Sequence, residues 1–222
     1  GNPTEKPKMK KPTPAGVTVK TVLDNYINAI GGPKAVAAIK TISVTGSGSI
    51  PQAPAPIKYT SKKDVKGKSF FTLEMEGMGE LSKQVLGDKS GYSVNQGQRK
   101  ELTADEFAEK KATASTFEEL MLAKKTDLVL DGIEPMNGVD AYVIKNGKTT
   151  LYYDVTTGLK VASATTLERD GKKMTSTVSF GDYKEVKGVK FPFNVIMNQG
   201  FDLDFKMSEV KINEGVTDAD FQ

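Results

Sequence analysis

The chain has 222 residues, 37% apolar and 27% charged, with a net charge of +3; this is the composition of a globular protein able to bury a core. It has neither Cys nor His, which excludes disulfides, thiolate nucleophiles, Cys-bound zinc or iron–sulfur clusters, and the commonest general base and zinc ligand. Lys6, Lys8, Lys10, Lys11 and Lys20 against Glu5 place +4 in the first 20 residues, so the remaining 202 sum to −1, and only Arg99 and Arg169 supply arginine. A neutral body poor in arginine does not fit nucleic-acid binding.

Residues 1–16, rich in Pro and Lys, have Met9 as their only large apolar side chain and read as an extended linker ahead of one domain over 17–222. They show no apolar leader, and no stretch of the chain approaches the ~20 apolar residues of a membrane-spanning helix. Val19, Val22, Leu23, Tyr26, Ile27 and Ile30 then recur with helical spacing, which predicts an amphipathic helix. Thr18 is placed to cap it, Gly31-Gly32 to stop it, and Pro33 to open a second, short helix.

From Thr41 the pattern changes to β. "TISVTGSGSI", "APIKYTSKKDV", "KSFFTLEME" and "GELSKQVLG" read as strands, and "GYSVNQGQRKEL" as a hairpin. Thr103 with Glu106, and Thr116 with Glu119, repeat the spacing of a capping box and predict a mid-chain helical segment. Turn pairs follow at Asn137-Gly138, Asn146-Gly147, Thr157-Gly158, Asp170-Gly171 and Lys187-Gly188, which predicts an antiparallel meander. In the last strand Phe201, Leu203, Phe205 and Met207 alternate, then the parity moves to Val210 and Ile212; a bulge near Ser208-Glu209 accounts for the shift. The fold class expected is mostly β (α+β): a strongly curved antiparallel sheet or half-open barrel, with the N-terminal helix and a mid-chain helical lid on its concave side.

Motifs for chemistry fail on spacing. Gly147-Lys148-Thr149 ends like a phosphate-binding loop, but the required earlier glycine position, 142, is Tyr. Ser208 and Lys211 have the spacing of an acyl-transfer pair, yet on a strand they point to opposite faces. Asp105/Glu106 and Glu118/Glu119 fall in first turns of helices, and Asp202/Asp204 on a polar strand face, where solvated structural roles are expected. No catalytic residue, metal site or cofactor is expected. What remains is a soft apolar set: Leu23, Ile27, Ile30, Leu73, Met75, Met121, Leu122, Phe180, Phe191, Phe193, Met197, Phe201 and Phe205. These either line a cavity for a flexible apolar ligand or fill the core between sheet and helices.

With these elements in order, "LDNYINAIGGPKAVAAIKTISVTG" and the run from Gly132 to Val195 resemble the LolA/LolB-like lipoprotein-carrier superfamily of Gram-negative envelopes. The matching residues are Asn137-Gly138 with Ala141-Tyr142, Tyr153-Asp154 with Gly158-Leu159, Phe180 with Tyr183, Gly188-Val189, Phe191-Pro192, and Ile212-Asn213 with Phe221. The resemblance spans roughly 18–222. It implies a half-open barrel with a helical lid over an apolar cavity, a non-catalytic role, lipid or a lipidated protein as partner, and a periplasmic or outer-membrane-associated location. Carriers of that superfamily bond an arginine of the sheet to the lid; neither Arg99, beside a hairpin turn, nor Arg169, before Asp170-Gly171, matches such a place. The stub "GNPTEKPKMKKPTPAG" also resembles the junction before an extra C-terminal domain in envelope insulinase-type zinc peptidases. That similarity implies an alternative role, as an accessory or docking domain beside an upstream peptidase, with no ligand of its own.

Overall fold

A computed structural model describes residues 10–222. The first helix, α1 (Val19–Ile30), forms where the apolar stripe predicts it: Thr18 and Thr21 exchange backbone-to-side-chain hydrogen bonds at its start, and Val22, Leu23, Tyr26 and Ile30 are buried. Gly31 ends it with φ 148°, and a Cβ there would stand 2.5 Å from the Gly188 carbonyl, so the residue is fixed by both conformation and space. Pro33 opens α2 (Pro33–Ala37).

Among the described residues, thirteen strands form one antiparallel sheet. The first arm comprises β1 (Thr41–Ser49), β2 (Ile57–Asp64), β3 (Ser69–Met75), β4 (Gly79–Leu86), β5 (Gly91–Asn95) and β6 (Gln98–Glu101). The second comprises β7 (Val129–Met136), β8 (Val139–Asn146), β9 (Thr149–Asp154), β10 (Lys160–Arg169), β11 (Lys172–Val186), β12 (Val189–Asn198) and β13 (Asp202–Ile212). Each arm is a meander of neighbouring strands, and β1 pairs with β13 to join them, giving the order β6-β5-β4-β3-β2-β1-β13-β12-β11-β10-β9-β8-β7. The edges β6 and β7 do not pair, so the sheet stays open, as the expected half-barrel requires.

The central seam shows why the sequence reads as it does. Thr45 pairs with Glu209 but Gly46 with Met207, so Ser208 is the extra residue of a bulge, and its hydroxyl donates to the Thr45 carbonyl at 3.1 Å. The bulge lets Phe205 and Met207 face the core before it and Ile212 after it. Opposite, a Cβ on Gly46 or Gly48 would come within 2.5 Å of the Lys206 or Asp204 carbonyl, which is why these positions of β1 carry no side chain.

"GDYKEVKGVKFPFNV" forms the end of β11, a two-residue turn with positive φ at Lys187 and Gly188, and the start of β12. Asp182, at φ 51°, carries the backbone irregularity that turns both Phe180 and Tyr183 inward. Pairing of β12 with β13 begins only at Asn194, so Pro192 occupies a stretch with no ladder partner on that side.

The buried side chains form two clusters. Leu23, Ile30 and Val36 pack with Phe117, Leu122, Tyr153, Phe191 and Ile212, while Ile57, Leu73, Met75, Val195, Phe205 and Met207 form a second group along the seam. Between β6 and β7 the chain travels from one edge of the sheet to the other, carrying α3 (Ala104–Lys111) and α4 (Glu118–Leu122). It is anchored in passing: Leu102 N–H donates to Gly91 O, Lys111 Nζ to the Gly67 and Gly87 carbonyls, Ser115 Oγ to Val65 O, and the Phe117 ring lies 5.9 Å from that of Phe191. This segment is the expected helical lid, built as a strap.

Residues 1–9 of the expected linker, and with them most of the stub likened to a peptidase junction, lie outside the described residues. Residues 10–16 are laid on the rim of the sheet: Lys11 exchanges two backbone hydrogen bonds of 2.8 Å with Ile133 of β7, and Lys10 and Lys11 pair with Asp131 and Asp140.

Candidate functional site

A cleft of about 240 Å³ lies where the strap crosses the seam, between the strands β1, β2 and β13 on one side and β10, β11 and β12 on the other. Val44, Tyr59, Phe180, Phe191, Val195 and Met207 give it an apolar wall. Thr116, Phe117, Glu118 and Glu119 of the strap, with Tyr26 of α1, close it from above.

One end of the cleft is polar and was not legible from local sequence. Lys160, at the start of β10, is 9% exposed and donates to Glu118 Oε1 at 3.0 Å and to Glu119 Oε2 at 2.8 Å. Glu119 is 2% exposed, and the Tyr153 hydroxyl donates to the same Oε2 at 2.7 Å. Tyr183 OH donates to the Lys160 carbonyl at 2.7 Å, and the Tyr26 and Phe180 rings flank the ammonium with centroids 5.3 and 5.4 Å away. A cation of the sheet is thus bonded to the strap through two carboxylates.

Burial opposes the charge on Lys160, but the two carboxylates beside it win and hold its pKa well above the ordinary lysine value. Glu118 is likewise desolvated, and Lys160 and Lys63 more than offset this, lowering its pKa. Burial, reinforced by Glu119, pushes Tyr26 and Tyr153 well above the usual phenol range. Lys160, Glu118, Tyr26 and Tyr153 are thus each held in the protonation form they carry at neutral pH, and none of these four is poised to exchange a proton there.

The Thr116–Glu119 capping box expected from sequence does not form. Phe117 takes the N-cap position with no side-chain bond, Glu119 is committed to Lys160 and Tyr153, and Thr116 Oγ1 is buried without a partner among the described residues. The solvated role expected for Glu118/Glu119 is corrected in the same way, because α4 turns Glu119 toward the sheet. The Thr103–Glu106 box at the start of α3, which faces solvent, forms as expected. Two equal patterns therefore diverge through tertiary context.

The residues expected to line a cavity are distributed over several settings. Phe180 and Phe191 line the cleft. Leu23, Ile30 and Leu122 are buried under the helices, with Ile27 partly buried against them. Leu73, Met75 and Phe205 are buried along the seam, with Phe193 and Met197 packed at its margin. Met121 is half-buried in α4, and Phe201 is 55% exposed in the turn before β13. The missed residues, Lys160, Glu119, Tyr153 and Thr116, come from elements far apart in sequence.

No family model matches the sequence, and no curated protein matches it significantly. Solved structures do. A LolA-superfamily protein from Nitrosomonas europaea superposes with a TM-score of 0.56 at 12% identity, over 93% of this chain and 98% of its own. A DUF1329-family protein from Desulfovibrio piger gives 0.55 at 12% identity, over 92% and 97%. A domain assigned to outer membrane lipoprotein sorting in Vibrio parahaemolyticus gives 0.50 at 12% identity, over 82% and 88%. The chain, with its open sheet, the strap across its face and α1 packed beside β12, is therefore similar in fold to these three structures.

Proposed function

We propose that the protein is a non-catalytic domain of the bacterial cell envelope that shelters an apolar chain, from a lipid or a lipidated protein, between its sheet and the strap. The observation that carries this reading is the apolar cleft under the strap, formed by residues of two otherwise separate arms of the sheet. Lipoprotein sorting is the role assigned to the relative from Vibrio parahaemolyticus, and it supports an acyl chain as the occupant. Lys160, bonded to Glu118 and Glu119, ties the strap to the sheet, and a ligand can release that tie. At about 240 Å³ the cleft is at the small end of ligand sites, which run ~300–1,000 Å³, so a full chain enters only as the strap lifts. Native mass spectrometry of the purified protein, before and after incubation with oleate, tests this. Adducts of chain-bearing lipid are expected, and a protein that takes up neither endogenous lipid nor oleate refutes the reading.

A further inference from the structure

The apolar cleft adjoins a second, polar cleft of about 720 Å³ beneath α3, and the two share Lys63 and Glu118 as common wall. The second cleft draws Lys63, Lys68, Lys100 and Lys110 against Glu106 and Glu118, an excess of positive charge. Lys68 is occupied by Asp64 and Asp218. Lys63, an exposed residue on the wall shared by the two clefts, has no hydrogen bond or ion pair among the described residues. Desolvation by the surrounding protein lowers its pKa, and the charge of Glu118 opposes that shift. Thr116, on the wall of the same apolar cleft, is 4% exposed with an Oγ1 that has no partner among the described residues. A buried hydroxyl and an ammonium, both without a partner among the described residues, line the apolar slot where it meets a basic chamber.

We infer that the ligand is a single-chain anionic amphiphile whose oxyanion head, carboxylate or phosphate, is taken by Lys63 and Thr116 while its chain lies along Phe180, Phe191 and Met207. This inference rests on the proposed apolar-chain function and adds the head group to it. Lys63 supplies the charge that the head needs, and the Thr116 hydroxyl donates to it. Lys160 stays committed to the two glutamates and does not compete for the head. A neutral lipid leaves both groups unsatisfied and so binds less well.

The test compares cis-parinaric acid with its methyl ester by fluorescence titration, using wild-type, Lys63→Met and Thr116→Val proteins that retain the wild-type circular-dichroism spectrum. The acid is expected to bind wild type about tenfold more tightly than the ester, as one charge-assisted hydrogen bond provides. Lys63→Met is expected to remove that preference with ester binding unchanged, and Thr116→Val to reduce it. Oleate is expected to displace the acid and inorganic phosphate is not. Equal binding of acid and ester to wild type, or an acid preference that survives Lys63→Met, overturns the head-group assignment while leaving the apolar-chain function standing. Displacement by inorganic phosphate overturns the amphiphile in favour of a free anion. Failure of both acid and ester to bind removes the underlying function itself.

Discussion

Lys160 Nζ, rooted in β10, stands 2.8 Å from Glu119 Oε2, rooted in the strap, and both side chains are almost fully withdrawn from water. Removing one partner strands a buried charge, whereas replacing both with apolar groups does not. Lys160→Met is therefore expected to cost about 3–5 kcal/mol in urea unfolding, and the double variant Lys160→Met/Glu119→Leu to recover most of the loss. Additive single-variant losses would show that the two residues are not coupled. Hydrogen exchange over residues 115–125 should accelerate in Lys160→Met before the rest of the chain is affected.

Alkaline pH provides a second measurement. Lys160 has a raised pKa, so its contribution to stability is complete below the unfolded lysine value of about 10.4 and is lost as pH rises through the folded value. Tyr26 and Tyr153 act in the same direction, because the unfolded phenols ionise near pH ~10 and the buried ones resist. Burial pushes Tyr59 up to about 12. Absorbance at 295 nm should thus show one group of tyrosines titrating near pH ~10 and a second appearing only with unfolding. A single transition for all seven tyrosines contradicts the buried network.

Phe201 and Phe205 are four residues apart and opposite in fate: one is 55% exposed, the other wholly buried against Tyr59 at a ring separation of 5.4 Å. Phe205→Ala is expected to cost about 3–5 kcal/mol, and Phe201→Ser to stay within about 0.5 kcal/mol of wild type. Thermal denaturation of both variants decides the point.

Gly48→Ala should destabilise by about 1–3 kcal/mol, because the new methyl collides with the Asp204 carbonyl rather than with a movable side-chain tip. Gly147→Ala has open space around it, so only its positive φ opposes the substitution, and a loss of about 1 kcal/mol is expected. Equal midpoints in urea for the two variants would count against the close strand contact.

The comparison of sequence with structure follows the range of the interactions. Periodicity placed α1, and turn pairs such as Asp170-Gly171 placed the hairpins, because these depend on residues adjacent in the chain. The parity shift after Met207 placed the bulge at Ser208 because alternation is itself a record of which face is buried. The polar tie was hidden for the opposite reason. Lys160, Glu119, Tyr153 and Tyr26 belong to four elements, and each alone looks ordinary. Its one local trace was the Thr116–Glu119 pattern, which describes a helix cap and is diverted by partners that only the fold brings near. Phe193 and Phe201 could not be separated by hydrophobicity, since both are Phe and only strand position makes one packed and the other exposed.

The seam between β1 and β13 also governs how the molecule is made. Ile42 faces Ile212 in register, so β1, the first strand made, must wait for β13, made after the other strands of the sheet. Until β13 emerges, each arm holds a bare strand edge, and the long separation slows closure through the entropy of joining distant segments. A growing chain can build the rest of its two meanders in turn, but the cleft between them exists only once β13 has been made. The cleft therefore forms only after both arms are made, and a chain cut short before β13 leaves the two arms unjoined.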